Sequence, residues 1–487
     1  MLDDLKRLFR HGGIYLLGNL LNRIGAFLLL PLYTKYLPVA DYGILEVLYV
    51  SVAVLSVICA AGLSHTTLRF YFDEPDERGR NAVVSTNLIL VTLSCLCGAL
   101  VVLAFGEQAS HLLFDSGQYR FAIALCLCIM VLEMSTEVGF AFLRAIENSA
   151  LFVWLSFLRL LLQLGMSIYL VAYREMGIEG VLIANAVSAG VGWMVVTGYA
   201  IQKCGLVFRR SLVTPMVKYS VPMAVGGVLA SVSVNVDRLM MKEYLSLEAV
   251  GLFALASKFA MILAFLVSEP FSRAYGPFRF SILGKPDAAA IQSQAVTYLV
   301  AIASLTALGI ALFTPEVLVA FAGREYHAAG VYVPVLLAAG VVSAASYCFE
   351  TGILAAKRTV LLLYAALAAL MAKVVLNILL LPVLQIHGAT LAVLLAAIIQ
   401  TLAIHAMSQR MLPVAYRLGR LGSIMVLAIA CFLPSLLLPD PPMLGTFLGK
   451  AAIALMFVVV LLACDQELRT AARMALAHLR TRARPGN

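Results

Sequence analysis

The segment KYSVPMAVGGVLASVSVNVDRLMM, residues 218–241, decides what kind of fold this chain adopts. It is long enough for the roughly 20-residue helix that crosses a bilayer, yet it places Asp237 and Arg238 side by side among apolar residues. The composition of the whole chain indicates whether such a segment lies in water or in lipid. Only 13% of the 487 residues are charged and 62% are hydrophobic, whereas soluble proteins carry roughly 25% charged residues. Most of this chain must therefore lie in lipid.

Apolar runs of this kind recur along the chain and predict an all-α integral membrane protein with about fourteen membrane helices. The runs are continuous rather than alternating, which indicates helices and not barrel strands. The predicted spans are residues 13–36, 43–64, 82–105, 121–143, 151–173, 177–201, 218–240, 250–273, 293–313, 328–350, 359–382, 386–409, 420–438 and 446–464.

The net charge of +9 is explained by the positions of the basic residues. With a cytoplasmic N-terminus, 24 of the 35 Lys and Arg fall on the cytoplasmic side and five on the opposite side. This bias is typical of membrane proteins and predicts that both termini are cytoplasmic. This distribution accounts for the positive charge without a nucleic-acid partner. The basic tail after Asp465 is expected to touch anionic lipid headgroups.

The chain also contains a weak internal repeat. YLPVADYGIL (36–45) matches YLSLEAVGLF (244–253), and IEGVLIA (178–184) matches IHGATLA (386–392), both at an offset of 208. LRAIEN (143–148) matches LAAKRT (354–359) at an offset of 211. We predict two parallel six-helix bundles, with a substrate path between them as in transporters. Their bounds are 1–210 and 211–420, followed by helices 13 and 14 and a cytoplasmic tail in 421–487.

Several basic residues lie inside predicted spans, where each unpaired charge costs about 2.5–3.5 kcal/mol. Neighbouring polar residues share their helix face, as do Arg159 with Gln163 and Lys373 with Asn377. This pattern predicts a hydrated, anion-binding cavity. Snorkelling or ion pairing is the alternative, above all for Lys258, Arg238 and Lys450. The candidate substrate-binding residues are Asn22, Arg23, Arg159, Asn235, Arg238, Lys258 and Lys373.

Carboxylates inside the spans are candidates for coupling transport to an ion gradient, since burial favours their protonated form. The candidates are Glu133, Glu137, Asp237 and Glu350. A static salt bridge is the alternative, and we favour it for Glu46 and Glu269. GTFLGK (445–450) lacks the spacing of a phosphate loop, and HExxH and GxGxxG motifs are absent from the sequence. We therefore expect no catalytic residues, no metal and no cofactor.

Four stretches resemble the bacterial polysaccharide-transport flippases, the Wzx-like proteins. They are GGIYLLGNLLNRIGAFLLLPLYTKYLPVADYGILEVL (12–48), RFYFDE (69–74), LRAIEN (143–148) and VDRLMM (236–241). This family belongs to the MOP superfamily, together with the MATE drug exporters and the lipid II flippase. The resemblance implies V-shaped, MATE-like helix bundles in the inner membrane. It further implies that polyprenyl-pyrophosphate-linked oligosaccharide moves from the cytoplasmic to the periplasmic leaflet by alternating access.

The same resemblance implies that Arg23 and Arg238 hold the pyrophosphate and that the protein is not an enzyme. The partners it implies are membrane lipid and a polysaccharide polymerase of the same pathway, and we expect a monomer. A cation-coupled multidrug exporter and a lipid II-type peptidoglycan precursor flippase are the alternative functions. An exporter would favour a cavity dominated by carboxylates and aromatic residues. A fourteen-helix chain also leaves open whether helices 13 and 14 form a lipid groove.

Overall fold

The computed structural model describes residues 25, 28–63, 66–437 and 444–470, and the regular structure in these ranges is helical. Thirteen of the described helices are long and apolar enough to cross a membrane, so the predicted all-α membrane fold is confirmed. We call residues 28–36, the described end of the first predicted span, α1. The other helices are α2 Val39–Ala60, α3 Glu77–Ala104, α4 Gly117–Ala145, α5 Ser149–Tyr173, α6 Gly177–Cys204, α7 Arg210–Tyr244, α8 Leu247–Ser281, α9 Ala288–Phe321, α10 Arg324–Ala355, α11 Val360–Leu384, α12 Ile386–Gln409, α13 Leu418–Leu437 and α14 Thr446–Cys464.

Helix bounds agree best with the sequence where the apolar run and the helix end together, as in α12 and α14. The largest difference at a helix start is that of α7, which begins at Arg210 although the apolar run starts near residue 218. Hydropathy detects only the lipid-embedded part of a helix, and the two prolines of α7, Pro215 and Pro222, do not end it. Two short helices, Thr66–Asp73 and Gly106–Phe114, lie between the spans.

The turns between helices repeat at a spacing of 210 residues. Glu147 and Lys357 both take the left-handed conformation, with φ of 56° and 58°. Glu175 and Gln385 also have positive φ, of 53° and 51°. A positive φ is uncommon for residues with a side chain, so two such pairs at one spacing are what an internal duplication predicts.

The helices pack into two compact units. Unit 1 extends to Gly251 and includes the segment Phe321–Glu325, and unit 2 contains Leu252–Ala320 and the chain from Tyr326 onwards. The packing boundary thus lies after α7, whereas the sequence repeat sets its boundary near residue 210. The reason is that α7 packs along α2 inside unit 1.

Each unit has its own apolar core. In unit 1, Phe140 and Leu143 of α4, Phe152 of α5 and Val196 of α6 pack together. In unit 2, small residues of α10 and α12, such as Ala339 and Ala397, allow these helices to approach closely. Because lipid tails are as apolar as these side chains, such packing rests on close van der Waals contact.

Candidate functional site

Unit 1 contains a hydrogen-bonded network between α1, α2, α5 and α6. Gln163 of α5 donates to the Asn185 side chain of α6, which in turn donates to the Tyr49 hydroxyl of α2 at 2.7 Å. The hydroxyl oxygens of Tyr33 and Ser167 lie 3.3 Å apart. Polar groups inside an apolar bundle need such partners, because lipid offers them none. The network therefore fixes the helices on which it lies.

Arg159 lies one helical turn from Gln163 and forms an ion pair with Glu133 of α4. Its aliphatic stem crosses Gly192 of α6, where an added Cβ would lie 2.7 Å from Arg159 Cδ. Gly192 is therefore required for the position of this arginine. The structure brings together one predicted substrate-binding residue and one predicted coupling carboxylate.

Arg238 of α7 lies against Glu46 of α2, with 3.4 Å between Arg238 Nε and Glu46 Oε2. Its Nη1 also donates to the Asn235 side-chain oxygen at 3.0 Å. The side chains of Arg238 and Glu46 are only 9% and 7% exposed. A buried pair of this kind is held by its additional hydrogen bonds, since desolvation offsets much of the attraction. For Glu46 the favoured alternative, a salt bridge, is what the structure shows. The neighbouring Asp237 is buried as well.

These groups follow one line through unit 1. Glu46 and Tyr49 are three residues apart on α2, and Arg159 and Gln163 are four residues apart on α5, so each pair shares a helix face. The line therefore runs from the Glu133 pair, through the amide network, to the Arg238 pair. We call it the polar track; its residues are Glu133, Arg159, Gln163, Asn185, Tyr49, Glu46, Arg238 and Asn235.

In unit 2, Lys373 is nearly buried and Asn377 is fully buried, one turn apart on α11. Lys258 lies half-buried on α8. Glu350 of α10 lies 3.9 Å from Arg279, which also donates to the Tyr347 carbonyl oxygen. The predicted span ends at residue 273, but α8 continues to Ser281 and carries Arg279 to α10.

Two of the predicted site residues, Asn22 and Arg23, lie outside the described residues. Glu137 lies half-buried one turn from Glu133 on α4. Within the described ranges, no group of three or more His, Cys, Asp and Glu residues could hold a metal ion.

The sequence interpretation missed Tyr33, Tyr49 and Asn185 as members of the network, and Glu316 as the partner of Lys450. The sequence did contain a signal for this network. Amide and hydroxyl groups inside apolar runs are uncommon and need hydrogen-bond partners. For Glu316 the predicted span ended too early, at residue 313, whereas α9 continues to Phe321. The pairing of Lys450 supports the alternative of ion pairing that we considered for it.

Comparison with known proteins identifies the family. Residues 8–282, more than half of the chain, match the family described as "Polysaccharide biosynthesis protein". No curated protein sequence matches the chain significantly.

Solved structures define the fold. The lipid II flippase MurJ in an inward closed conformation superposes with a TM-score of 0.73 at 13% identity, over 93% of this chain and 98% of that one. An inward-facing multidrug resistance MATE transporter of the MOP superfamily gives a TM-score of 0.61 at 14% identity, over 84% and 95%. The Vibrio cholerae MATE transporter VcmN, as a mutant, gives 0.52 at 17% identity, over 83% and 96%.

The fold is the one shared by the lipid II flippase MurJ and the MATE transporters, and the thirteen long apolar helices indicate a multi-pass membrane protein. The chain belongs to the polysaccharide biosynthesis protein family, as the resemblance of residues 12–48 and of the later motifs predicted.

Proposed function

We propose that this protein is a secondary transporter that flips polyprenyl-pyrophosphate-linked oligosaccharide from the cytoplasmic to the periplasmic leaflet for surface polysaccharide biosynthesis. Membership of a polysaccharide biosynthesis family, combined with a flippase and transporter fold, carries this proposal. Family membership indicates the sugar pathway, and the fold indicates movement across the membrane.

The basic residues inside the apolar spans support an anionic cargo. Arg159, Arg238 and Lys373 lie within apolar spans, where a positive charge is costly unless a partner or ligand compensates it. A pyrophosphate group suits arginine especially well, because the guanidinium offers paired donors to phosphate oxygens. Asn22, Arg23, Asn235 and Lys258 complete the set of proposed substrate-binding residues.

No covalent step is involved in this function. The charged headgroup enters the hydrated path by alternating access while the polyprenyl tail remains in lipid. Glu133, Glu137, Asp237 and Glu350 are the proposed coupling carboxylates. Glu133 is the exchangeable partner of Arg159, because it holds the ion pair that a phosphate group would replace.

The setting belongs to the same proposal. We place the protein in the bacterial inner membrane as a monomer with both termini cytoplasmic, supported by the distribution of Lys and Arg in the sequence. The proposed partners are membrane lipid and a polysaccharide polymerase of the same pathway. The two six-helix bundles, 1–210 and 211–420, are the proposed moving bodies.

The test is a lipid extraction from cells lacking this protein, compared with cells carrying the wild type, Arg159→Ala or Lys373→Ala. Unpolymerised lipid-linked oligosaccharide should accumulate, and surface polysaccharide should disappear, in the null strain and in both variants. The control variant must lie outside the polar track, which excludes Gln163. Lys285→Ala, in the loop after α8, is the matched control and should behave as the wild type.

Two results would favour the alternatives. The fold shared with a MATE transporter makes a drug exporter the first of them. An unchanged lipid pool with increased sensitivity to cationic drugs would overturn the proposal in its favour. Accumulation of lipid II instead of the oligosaccharide lipid would point to a peptidoglycan precursor, in line with the fold shared with MurJ.

A further inference from the structure

The ends of α2, α7 and α8 on the predicted outer side meet in a glycine contact next to Arg238, one of the proposed substrate-binding residues. Gly43 of α2 and Gly251 of α8 are repeat-related residues at an offset of 208, and they lie against each other. A Cβ atom added at Gly43 would overlap the Leu247 carbonyl group, and one added at Gly251 would overlap the Val39 carbonyl oxygen. Only glycine permits this backbone-to-backbone approach.

Two ion pairs lie on either side of the glycine contact. Towards the membrane interior, Glu46 follows Gly43 by three residues and pairs with Arg238. Towards the outside, Lys242 Nζ lies 3.3 Å from Asp115 Oδ2. We call these three contacts the outer clasp: Lys242–Asp115, Gly43–Gly251 and Glu46–Arg238.

The outer clasp joins segments from both halves of the sequence repeat. α7 and the start of α8 belong to the second half, whereas α2 and Asp115 belong to the first. The segment Phe321–Glu325 of the second half behaves likewise. Thr34 Oγ1 of α1 donates to the Phe321 carbonyl oxygen at 3.3 Å, and the Gly323 N–H donates to the Thr34 carbonyl oxygen at 3.1 Å. All of these residues lie in unit 1.

We propose that the outer clasp closes the outer end of the transport path, and that Glu46 is the counter-ion that positions Arg238 while the path is closed. The inference rests on the proposed function and assigns a positioning residue to it. Opening the clasp hydrates both charges, which lowers the cost of separating them. Arg238 then exchanges Glu46 for an anionic group of the cargo.

The Gly43–Gly251 contact itself explains why the outer clasp can open. Two glycines meeting backbone to backbone have no interdigitated side chains, so the helices can separate without repacking a core. Glycine on both sides, next to a buried ion pair, fits an interface that opens and closes again.

The test is the accessibility of a cysteine placed below the clasp. Ser231→Cys is introduced into a background in which the nine native cysteines are replaced, and a membrane-impermeant maleimide is added from outside. Ser231 lies two turns below Arg238 on α7, and only its backbone carbonyl takes part in the hydrogen bond with Asn235. Labelling of the closed protein should be slow. Gly43→Ala and Glu46→Gln should each accelerate it about tenfold or more, because both destabilise the closed state.

Matched controls separate closure from general loosening. Gly226→Ala adds the same methyl group to α7 where nothing lies within 4 Å of the new atom. Glu269→Gln removes a carboxylate from a half-exposed pair with Arg273. Neither should change the labelling rate. Exchanging the charges, Glu46→Arg with Arg238→Glu, should restore slow labelling.

Equal labelling rates in the wild type, Gly43→Ala and Glu46→Gln would overturn the proposal. So would an acceleration by Gly226→Ala as large as that by Gly43→Ala. Labelling is read without any lipid-linked cargo, whereas the proposed function is read from the lipid pool of cells. A failure of the outer-clasp proposal is therefore distinguishable from a failure of the proposed flippase function.

Discussion

Two buried ion pairs, Glu46–Arg238 in unit 1 and Glu316–Lys450 in unit 2, have opposite surroundings. Arg238 also donates a hydrogen bond to the Asn235 side-chain oxygen, and two glycines meet one turn away from Glu46. Lys450 and Glu316 join α14 to α9, and one turn away the rings of Phe447 and Phe313 lie 4.9 Å apart. The first pair has a polar neighbour that hydrogen-bonds to its cation, whereas the second lies beside aromatic rings.

This difference separates two uses of charge inside a membrane. An ion pair packed beside aromatic rings is held in place, and it joins two helices. A pair next to amides and a glycine contact can open, because other groups and water can solvate the separated charges. Burial alone does not distinguish the two, since both pairs are well shielded.

Replacing each pair by apolar side chains should give the largest contrast. Such double replacements are often neutral or stabilising by about 1–4 kcal/mol, so both proteins should fold. Glu316→Leu with Lys450→Met should retain surface polysaccharide. Glu46→Leu with Arg238→Met should abolish it, because Arg238 no longer binds the cargo. Polysaccharide is measured on cells with matched amounts of the protein. Loss in both double variants would remove the distinction between the pairs.

Removing only the lysine of the Glu316–Lys450 pair should have the next largest effect. Lys450→Ala leaves Glu316 without its cation, and removing one partner of a buried pair costs about 3–5 kcal/mol. We expect a clear fall in the unfolding temperature of the purified protein. Lys285→Ala, an exposed lysine, serves as the control. An unchanged unfolding temperature in Lys450→Ala would show that the pair does not fasten α14.

The contact beneath Arg159 should give a smaller effect. Gly192→Ala places a methyl group against the arginine stem, which must shift, and overpacking of this kind costs about 1–3 kcal/mol. We expect reduced polysaccharide with the protein still folded. Gly190→Ala on the same helix, where nothing lies within 4 Å, is the matched control. Equal activity of the two variants would mean that the position of Arg159 is unimportant.

The smallest expected effect is on pH dependence at the predicted cytoplasmic ends of α13 and α14. A hydrogen bond from Arg420 lowers the pKa of Glu467 below its ordinary value of 4.5. Burial alone would raise the pKa of Asp465, but hydrogen bonds from Arg420 and the Leu468 amide outweigh it and lower that pKa below 3.8. These carboxylates stabilise the folded state above their unfolded pKa values, and the contribution is lost as the pH falls below about 4.5 and through the lowered folded values.

The contribution of this cluster is small, at most about 1 kcal/mol per half-exposed pair. Thermal unfolding of the wild type and of Glu467→Gln measures it. The difference in unfolding temperature between them should be present at pH 7 and shrink towards pH 4. A difference that grows on acidification would have the wrong sign for a lowered pKa.

The sequence was sufficient for the membrane spans and the family, because the exclusion of charge from lipid acts on each segment separately. It was not sufficient for the pairing of charges. Arg159 could have faced a cavity or Glu133, and the choice depends on how α4 and α5 are rotated against each other. The role of Gly43 was hidden for the same reason: the repeat showed that it matches Gly251 but not that the two residues touch.

The most direct measurement of the central claim is transport by the purified protein in vesicles. Polyprenyl-pyrophosphate-linked oligosaccharide with a labelled sugar is placed in one leaflet, and its arrival in the other is read with a sugar-modifying enzyme that cannot cross the membrane. We predict transfer by the wild type and by Lys285→Ala, and little transfer by Arg159→Ala or by Glu46→Leu with Arg238→Met. Transfer no faster than in protein-free vesicles, from a wild-type protein that is folded, would contradict it.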